Sequence, residues 1–179
     1  MTIVALLGDS ITHEAEPELR AALAFTTIGT VIGRPGMTAT EAGPDAELIA
    51  ADFIAAELPE IVVVNLGTND ALKNVATAET LAALDGIYAT LRLTRIVAVA
   101  VTTRFSGSEF DNRVQAINDH LRARCQAGGN PVSVVAWDEI VAADEALLSD
   151  GLHPTPRGRA RLAAAVAATV ADIVGTVSQ

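Results

Sequence analysis

The runs Ile3-Val4-Ala5-Leu6-Leu7, Ile61-Val62-Val63-Val64 and Ile96-Val97-Ala98-Val99-Ala100-Val101 carry no polar residue at odd or even positions. A strand with one face in water alternates apolar and polar side chains, so a strand apolar at both parities needs cover on both faces. Such strands are expected over residues 3–7, 26–32, 61–65, 96–101 and 132–136. Alanine-rich segments with helical periodicity fall between and after them, over residues 16–24, 44–57, 77–92, 111–127 and 155–174. The segments between strands are long enough for crossover helices, so the strands are expected to lie parallel. The fold class that follows is α/β, a parallel sheet between two helical layers.

Half of the 179 residues are hydrophobic but only 3% are aromatic, so the core must be built from Ala, Val, Leu and Ile. One core serves a chain of this length, and residues 1–179 are expected to form a single domain without a linker. A formal charge of −10 repels phosphate backbones and anionic lipid surfaces, so nucleic acid and membrane are not expected partners. The single cysteine, Cys125, excludes an internal disulfide and lies in a helical pattern, where an inert thiol is expected. The first residues already read as a core strand, which leaves no room for a secretion signal and points to the cytoplasm. The apolar stretch 162–177 is broken by Asp172 and places Leu162, Val166, Val170, Ile173 and Val177 on one helical face, the pattern of a core helix.

In an open parallel sheet, ligands bind beyond the carboxyl ends of the strands. Polar, chemistry-bearing residues follow those ends here: Ser10 after the first strand, Gly36 after the second, Gly67-Thr68-Asn69-Asp70 after the third, and Asp150 and His153 after the fifth and a short helical connection. A serine hydroxyl becomes a useful nucleophile when an imidazole takes its proton and a carboxylate holds the imidazole in the right tautomer. Ser10, His153 and Asp150 supply those three groups.

Taken together, these blocks resemble the SGNH (GDSL-type) hydrolase family. Gly8-Asp9-Ser10-Ile11 is similar to the first block, Gly33-Arg34-Pro35-Gly36-Met37-Thr38 to the second with Gly36 at the functional glycine, Gly67-Thr68-Asn69-Asp70 to the third, and Asp150-Gly151-Leu152-His153-Pro154 to the last. The four stand in order and span nearly the whole chain. The resemblance implies a three-layer α/β/α sandwich with a flavodoxin-like five-stranded parallel sheet, and Asn118 fits a frequent family position. It also implies Ser10 as nucleophile, His153 as general base, and Asp150 as its partner. Backbone N–H groups of Ser10 and Gly36 and the amide of Asn69 would then be the oxyanion donors.

Each of these residues has a plainer use. Ser10 would serve as a helix cap, Asp9 and Asp150 as turn or cap residues, Gly36 as a turn glycine, and Asn69 and Asp70 as loop stabilisers. His13 is a candidate to line the cleft beside Ser10, whereas His120 reads as a surface or half-buried helix residue. Arg34, Arg104 and Phe105 are candidate substrate contacts. No His-Glu-x-x-His run or spaced-glycine dinucleotide fingerprint occurs, so neither metal nor cofactor is expected. The Gly-x-Ser-x-Gly elbow of α/β-hydrolases is also absent. The activity implied is a serine esterase acting on carboxylic esters, with a short acyl group on a small alcohol or sugar. The alternatives are an acyltransferase using the same acyl-Ser10 intermediate and a noncatalytic ligand-binding module. The oligomeric state is open, alanine-rich helix faces being compatible with a dimer.

Overall fold

A computed structural model of the chain describes residues 2–52, 59–102, 107–126 and 132–177. The strands are β1 (Ile3–Gly8), β2 (Thr27–Gly33), β3 (Ile61–Asn65), β4 (Arg95–Val99) and β5 (Val132–Val135). They form one parallel sheet in the order β2-β1-β3-β4-β5. The helices are α1 (Ser10–Ala22), α2 (Gly43–Asp52), α3 (Thr68–Leu72), α4 (Thr77–Thr90), α5 (Ser108–Gln126), α6 (Trp137–Ala143) and α7 (Pro156–Val177), with one 3₁₀ turn at Glu145–Leu147.

The side-chain period of a strand divides the apolar runs between two cores. Ala5, Leu7, Val62, Val64, Ile96 and Ala98 face one layer, where they meet Ala46 and Ile49 of α2, Leu84 and Ile87 of α4, and Ile117 and Leu121 of α5. Val4, Leu6, Val63, Val97 and Val99 face the other, against Ile11, Ala15 and Leu19 of α1, Trp137 and Val141 of α6, and Leu162, Val166 and Val170 of α7. Each Val, Leu or Ile side chain among them, fully removed from water, contributes about 1.5–3 kcal/mol. This two-sided burial is why residues 3–7 of β1 and 61–64 of β3 are apolar throughout, the polar Asn65 coming only at the carboxyl end of β3. β2, at the sheet edge, is only half-buried and reads accordingly as the mixed run Thr27-Ile28-Gly29-Thr30-Val31-Ile32.

Several boundaries differ from the sequence expectation, each for a local reason. α1 starts at Ser10 rather than at residue 16, because Asp9 caps it by accepting the Ile11 N–H at 2.9 Å. Ile11, Ala15 and Leu19 then form its buried stripe, with Pro17 on the exposed side. β4 ends at Val99 rather than at residue 101. There the ladder to β5 runs out, and the Asn118 side chain takes over, accepting from Val101 N–H at 2.8 Å and donating to Val101 O at 2.9 Å. α3 is not among the expected helices, its 5 residues being too short to show a period, whereas the short helical connection expected between the fifth strand and Asp150 is present as α6 and the 3₁₀ turn. Residues 53–57 and 127 of the expected helices lie outside the described residues. Among the described residues, no helix is long and apolar enough to cross a membrane.

The chain order reverses across β1 and β3, which opens a crevice at their carboxyl ends. Gly8 sits level with Asn65 of β3 and Gly33 of β2, so the segments that follow all emerge at one edge. Gly8 is required there: a Cβ would lie 2.1 Å from Thr12 Oγ1 and 2.9 Å from Asn65 O, blocking the tight entry into α1.

Candidate active site

Ser10 is the first residue of α1, half-buried at the mouth of the crevice. Its Oγ lies 3.0 Å from His153 Nε2. On the other side of the ring, His153 Nδ1 lies 2.7 Å from Asp150 Oδ2. An ionised carboxylate only accepts, so Nδ1 carries the hydrogen and Nε2 is left to accept from the serine hydroxyl.

The loop holding Asp150 and His153 is braced on itself. Asp150 Oδ1 accepts the backbone N–H groups of Leu152 at 2.9 Å and His153 at 2.7 Å, while Gly151 adopts φ 87° between them. Ser149 donates to His153 O through both N–H, at 2.9 Å, and Oγ, at 3.0 Å. Thr155 N–H then returns to Leu147 O at 2.8 Å, anchoring the loop between the 3₁₀ turn and α7. Backbone and ring donors from His153 pull the Asp150 carboxyl down to about 2, although its side chain is 55% exposed.

Across the crevice, Arg34-Pro35-Gly36-Met37 closes a tight turn through Met37 N–H to Arg34 O at 3.0 Å, with Gly36 at φ 78°. Proline followed by a positive-φ glycine is the signature of a type II turn. A Cβ at Gly36 would meet nothing within 4 Å, so conformation rather than space calls for glycine here. Lys73 Nζ donates to Gly36 O at 2.6 Å and holds the turn from outside. The N–H of Ser10, in the first turn of α1, belongs to the donors a helix cannot satisfy internally.

Asn69, in the first turn of α3, is differently engaged. Its Nδ2 donates to Asp9 Oδ2 at 3.0 Å and to Met37 O at 3.1 Å, so both amide hydrogens have protein acceptors. Donation to a substrate oxygen requires one of those hydrogens to be shared. Asp70 beside it orders the neighbouring loop by accepting Ala39 N–H at 2.8 Å, and burial raises its carboxyl. Asp9 is fully buried, and that burial pushes its carboxyl up to about 6 despite the bond from Ile11 N–H.

Of the other candidates, Arg34 pairs with Asp45 and lines a cleft of about 590 Å³ with Gly36, Thr40, Glu41 and Lys73. The His13 side chain is exposed, and its backbone is what packs closely on Gly33. His120 pairs with Asp85 at 2.8 Å between α4 and α5, in a cluster shared with Arg124. Asn118 serves the end of β4, and Cys125 is exposed. Arg104 and Phe105 lie outside the described residues. Among the described residues, no group of three or more His, Cys, Asp or Glu is placed to hold a metal ion. Sequence reasoning missed two contacts. Lys73 follows Asn69 by one helical turn, which is the only signal of its hold on Gly36; the Asp9–Asn69 bond, across 60 residues of chain, has no local signal.

Residues 6–161 match the model of the GDSL-like Lipase/Acylhydrolase family. Among solved structures, a family 3 carbohydrate esterase from Clostridium thermocellum is similar, with a TM-score of 0.76 and 18% identity over 99% of each chain. The C-terminal catalytic domain of peptidoglycan O-acetyltransferase A from Streptococcus pneumoniae, solved with a methylsulfonyl adduct, gives 0.74 and 18% over 99% of this chain and 94% of its own. A member of the lipolytic protein G-D-S-L family from Veillonella parvula gives 0.74 and 18% over 95% and 98%. Comparison with curated proteins returns no match.

Proposed function

This chain belongs to the GDSL-like lipase/acylhydrolase family of serine hydrolases, and on that premise we propose that it hydrolyses carboxylic esters through an acyl-Ser10 intermediate. The observation that carries the reading is the unbroken hydrogen-bonded series Ser10 Oγ, His153, Asp150. Ser10 Oγ attacks the acyl carbonyl carbon as His153 Nε2 takes the hydroxyl proton. The charge that develops on the carbonyl oxygen is met by the N–H groups of Ser10 and Gly36, with Asn69 as third donor. Collapse of the tetrahedral species expels the alcohol, which receives its proton from His153. Water then enters, gives a proton to His153 and attacks the acyl carbon; collapse frees the acid and returns the proton to Ser10 Oγ. Asp150 stays ionised throughout, holding the ring tautomer and stabilising the imidazolium.

The His153 side chain is 28% exposed and that of Asp150 55%, so water has ready access to the acyl intermediate, which supports hydrolysis as its fate. The cleft bordering Gly36 is edged by Arg34, Thr40, Glu41 and Lys73 beside Pro35, Met37 and Pro44, a mixed lining that offers hydrogen-bond partners to a hydroxylated alcohol. The names of the carbohydrate esterase and the peptidoglycan O-acetyltransferase, both similar in fold, point the same way. The substrate class proposed is therefore a short acyl group, acetate first, esterified to a sugar or small alcohol.

A panel of aryl esters of increasing acyl length and of acetylated sugars tests this, with wild type, Ser10→Ala and His153→Ala in parallel. Acetyl esters should turn over fastest, free acid should be the product even with added alcohol, and each variant should lose at least about 1,000-fold in kcat. Near-normal turnover by a folded Ser10→Ala protein, or a new ester as main product, contradicts the reading.

A further inference from the structure

We propose that Asp9 is the positioning residue of the oxyanion site, its two carboxylate oxygens joining the turn that carries Ser10 to the amide of Asn69. The inference rests on the reading of Ser10 N–H and Asn69 as oxyanion donors, and goes beyond it by assigning what holds them in relation to each other.

A wholly buried carboxylate is costly, and among the described residues no Lys, Arg or His forms an ion pair with Asp9. Capping α1 does not require that cost, since Ser, Thr or Asn accepts an N-terminal N–H equally well. The second oxygen explains the choice. Asp9 Oδ1 accepts Ile11 N–H at 2.9 Å, and Oδ2 accepts Asn69 Nδ2–H at 3.0 Å. Both partners are donors. Serine and threonine offer one oxygen, and asparagine would set an NH₂ against one of the two donors. Only a carboxylate presents two acceptors on one rigid frame.

The consequence is long-range. Ser10, whose N–H and Oγ both face the reacting carbonyl in the proposed mechanism, adjoins the Asp9–Ile11 bond. Asn69 belongs to α3, which follows a different strand. With Asp9 between them, the amide cannot rotate without breaking a charge-assisted bond. Met37 O holds the other amide hydrogen at 3.1 Å and ties in the turn of Gly36. The Asp9 and Asn69 side chains thus link the three segments that carry the proposed donors.

Asp9→Ser separates the two roles, because serine keeps the cap and is too short to reach Asn69. On a short aryl ester, Asp9→Ser should lower kcat about 10- to 100-fold and leave KM within about 3-fold, while Asn69→Ala should lower kcat about 100- to 1,000-fold. The double variant should fall within about 3-fold of Asn69→Ala alone, since Asp9 acts through that amide. A double variant losing the product of the two single effects, or an Asp9→Ser kcat equal to wild type, overturns the inference. If Asp9→Ser does not unfold cooperatively, Asp9→Asn enters the same cycle with the same two outcomes. Should Ser10→Ala stay active, the reading of the site itself fails; should it be inactive while the cycle is additive, only the role of Asp9 fails.

Discussion

Asp150 and Asp9 flank Ser10 and engage donors with both oxygens, yet they live under opposite conditions. The Asp150 side chain is 55% exposed, its partners lie within three residues, and its donors draw it down to about 2. Asp9 is 0% exposed, reaches one partner two residues away and another 60 residues away, and is driven up to about 6. An exposed turn sets the geometry of its carboxylate cheaply, because water shares the charge. The buried one accepts a desolvation cost and in return links two segments that no local turn can join. In the proposed mechanism, the difference separates a part that orients the base from a part that orients the donors.

Activity gives the largest test of that contrast. Asp150→Asn removes the acceptor that fixes the His153 tautomer, so kcat should fall about 100- to 10,000-fold. Because the site is exposed, its thermal midpoint should stay close to wild type. A large drop in midpoint would place Asp150 among the structural carboxylates and erase the distinction.

Stability against pH gives a smaller effect of opposite sign at the two positions. Asp9 is raised on folding, so the native state binds more protons than the unfolded chain between about 4 and 6. Relative to Asp9→Ser, wild type should therefore gain stability as pH falls from 7 to 4, by on the order of 2–3 kcal/mol. Asp150 is lowered on folding, so its contribution is present above pH 3.8 and lost as pH falls toward about 2. Wild type should lose ground to Asp150→Asn in that window. Denaturant titrations across pH check both, and slopes of the same sign would contradict the assignment of environments.

The same contrast explains what was legible in the chain. The parallel sheet could be read because double-sided burial leaves residues 3–7, 61–64 and 96–99 of β1, β3 and β4 apolar at both parities. Asp150 and His153 could be read because their bond spans three residues and fits a short motif. The start of α1 was missed because its cap, Asp9, precedes a proline-containing segment that masks the helical stripe of Ile11, Ala15 and Leu19. The bonds from Asn69 to Asp9 and Met37 depend on β1, β2 and β3 ending level with one another. That alignment is a property of the sheet rather than of any one segment. Lys73 belongs with them, since its value lies in a carbonyl brought close by the turn at Gly36.

The central claim is that Ser10 is made nucleophilic by His153, and its most direct test is labelling with a sulfonyl fluoride followed by peptide mass mapping. The account predicts one sulfonyl adduct, on Ser10, with ester hydrolysis lost in step with labelling, no adduct in Ser10→Ala and much slower labelling in His153→Ala. Full ester hydrolysis surviving complete modification of Ser10 would contradict it.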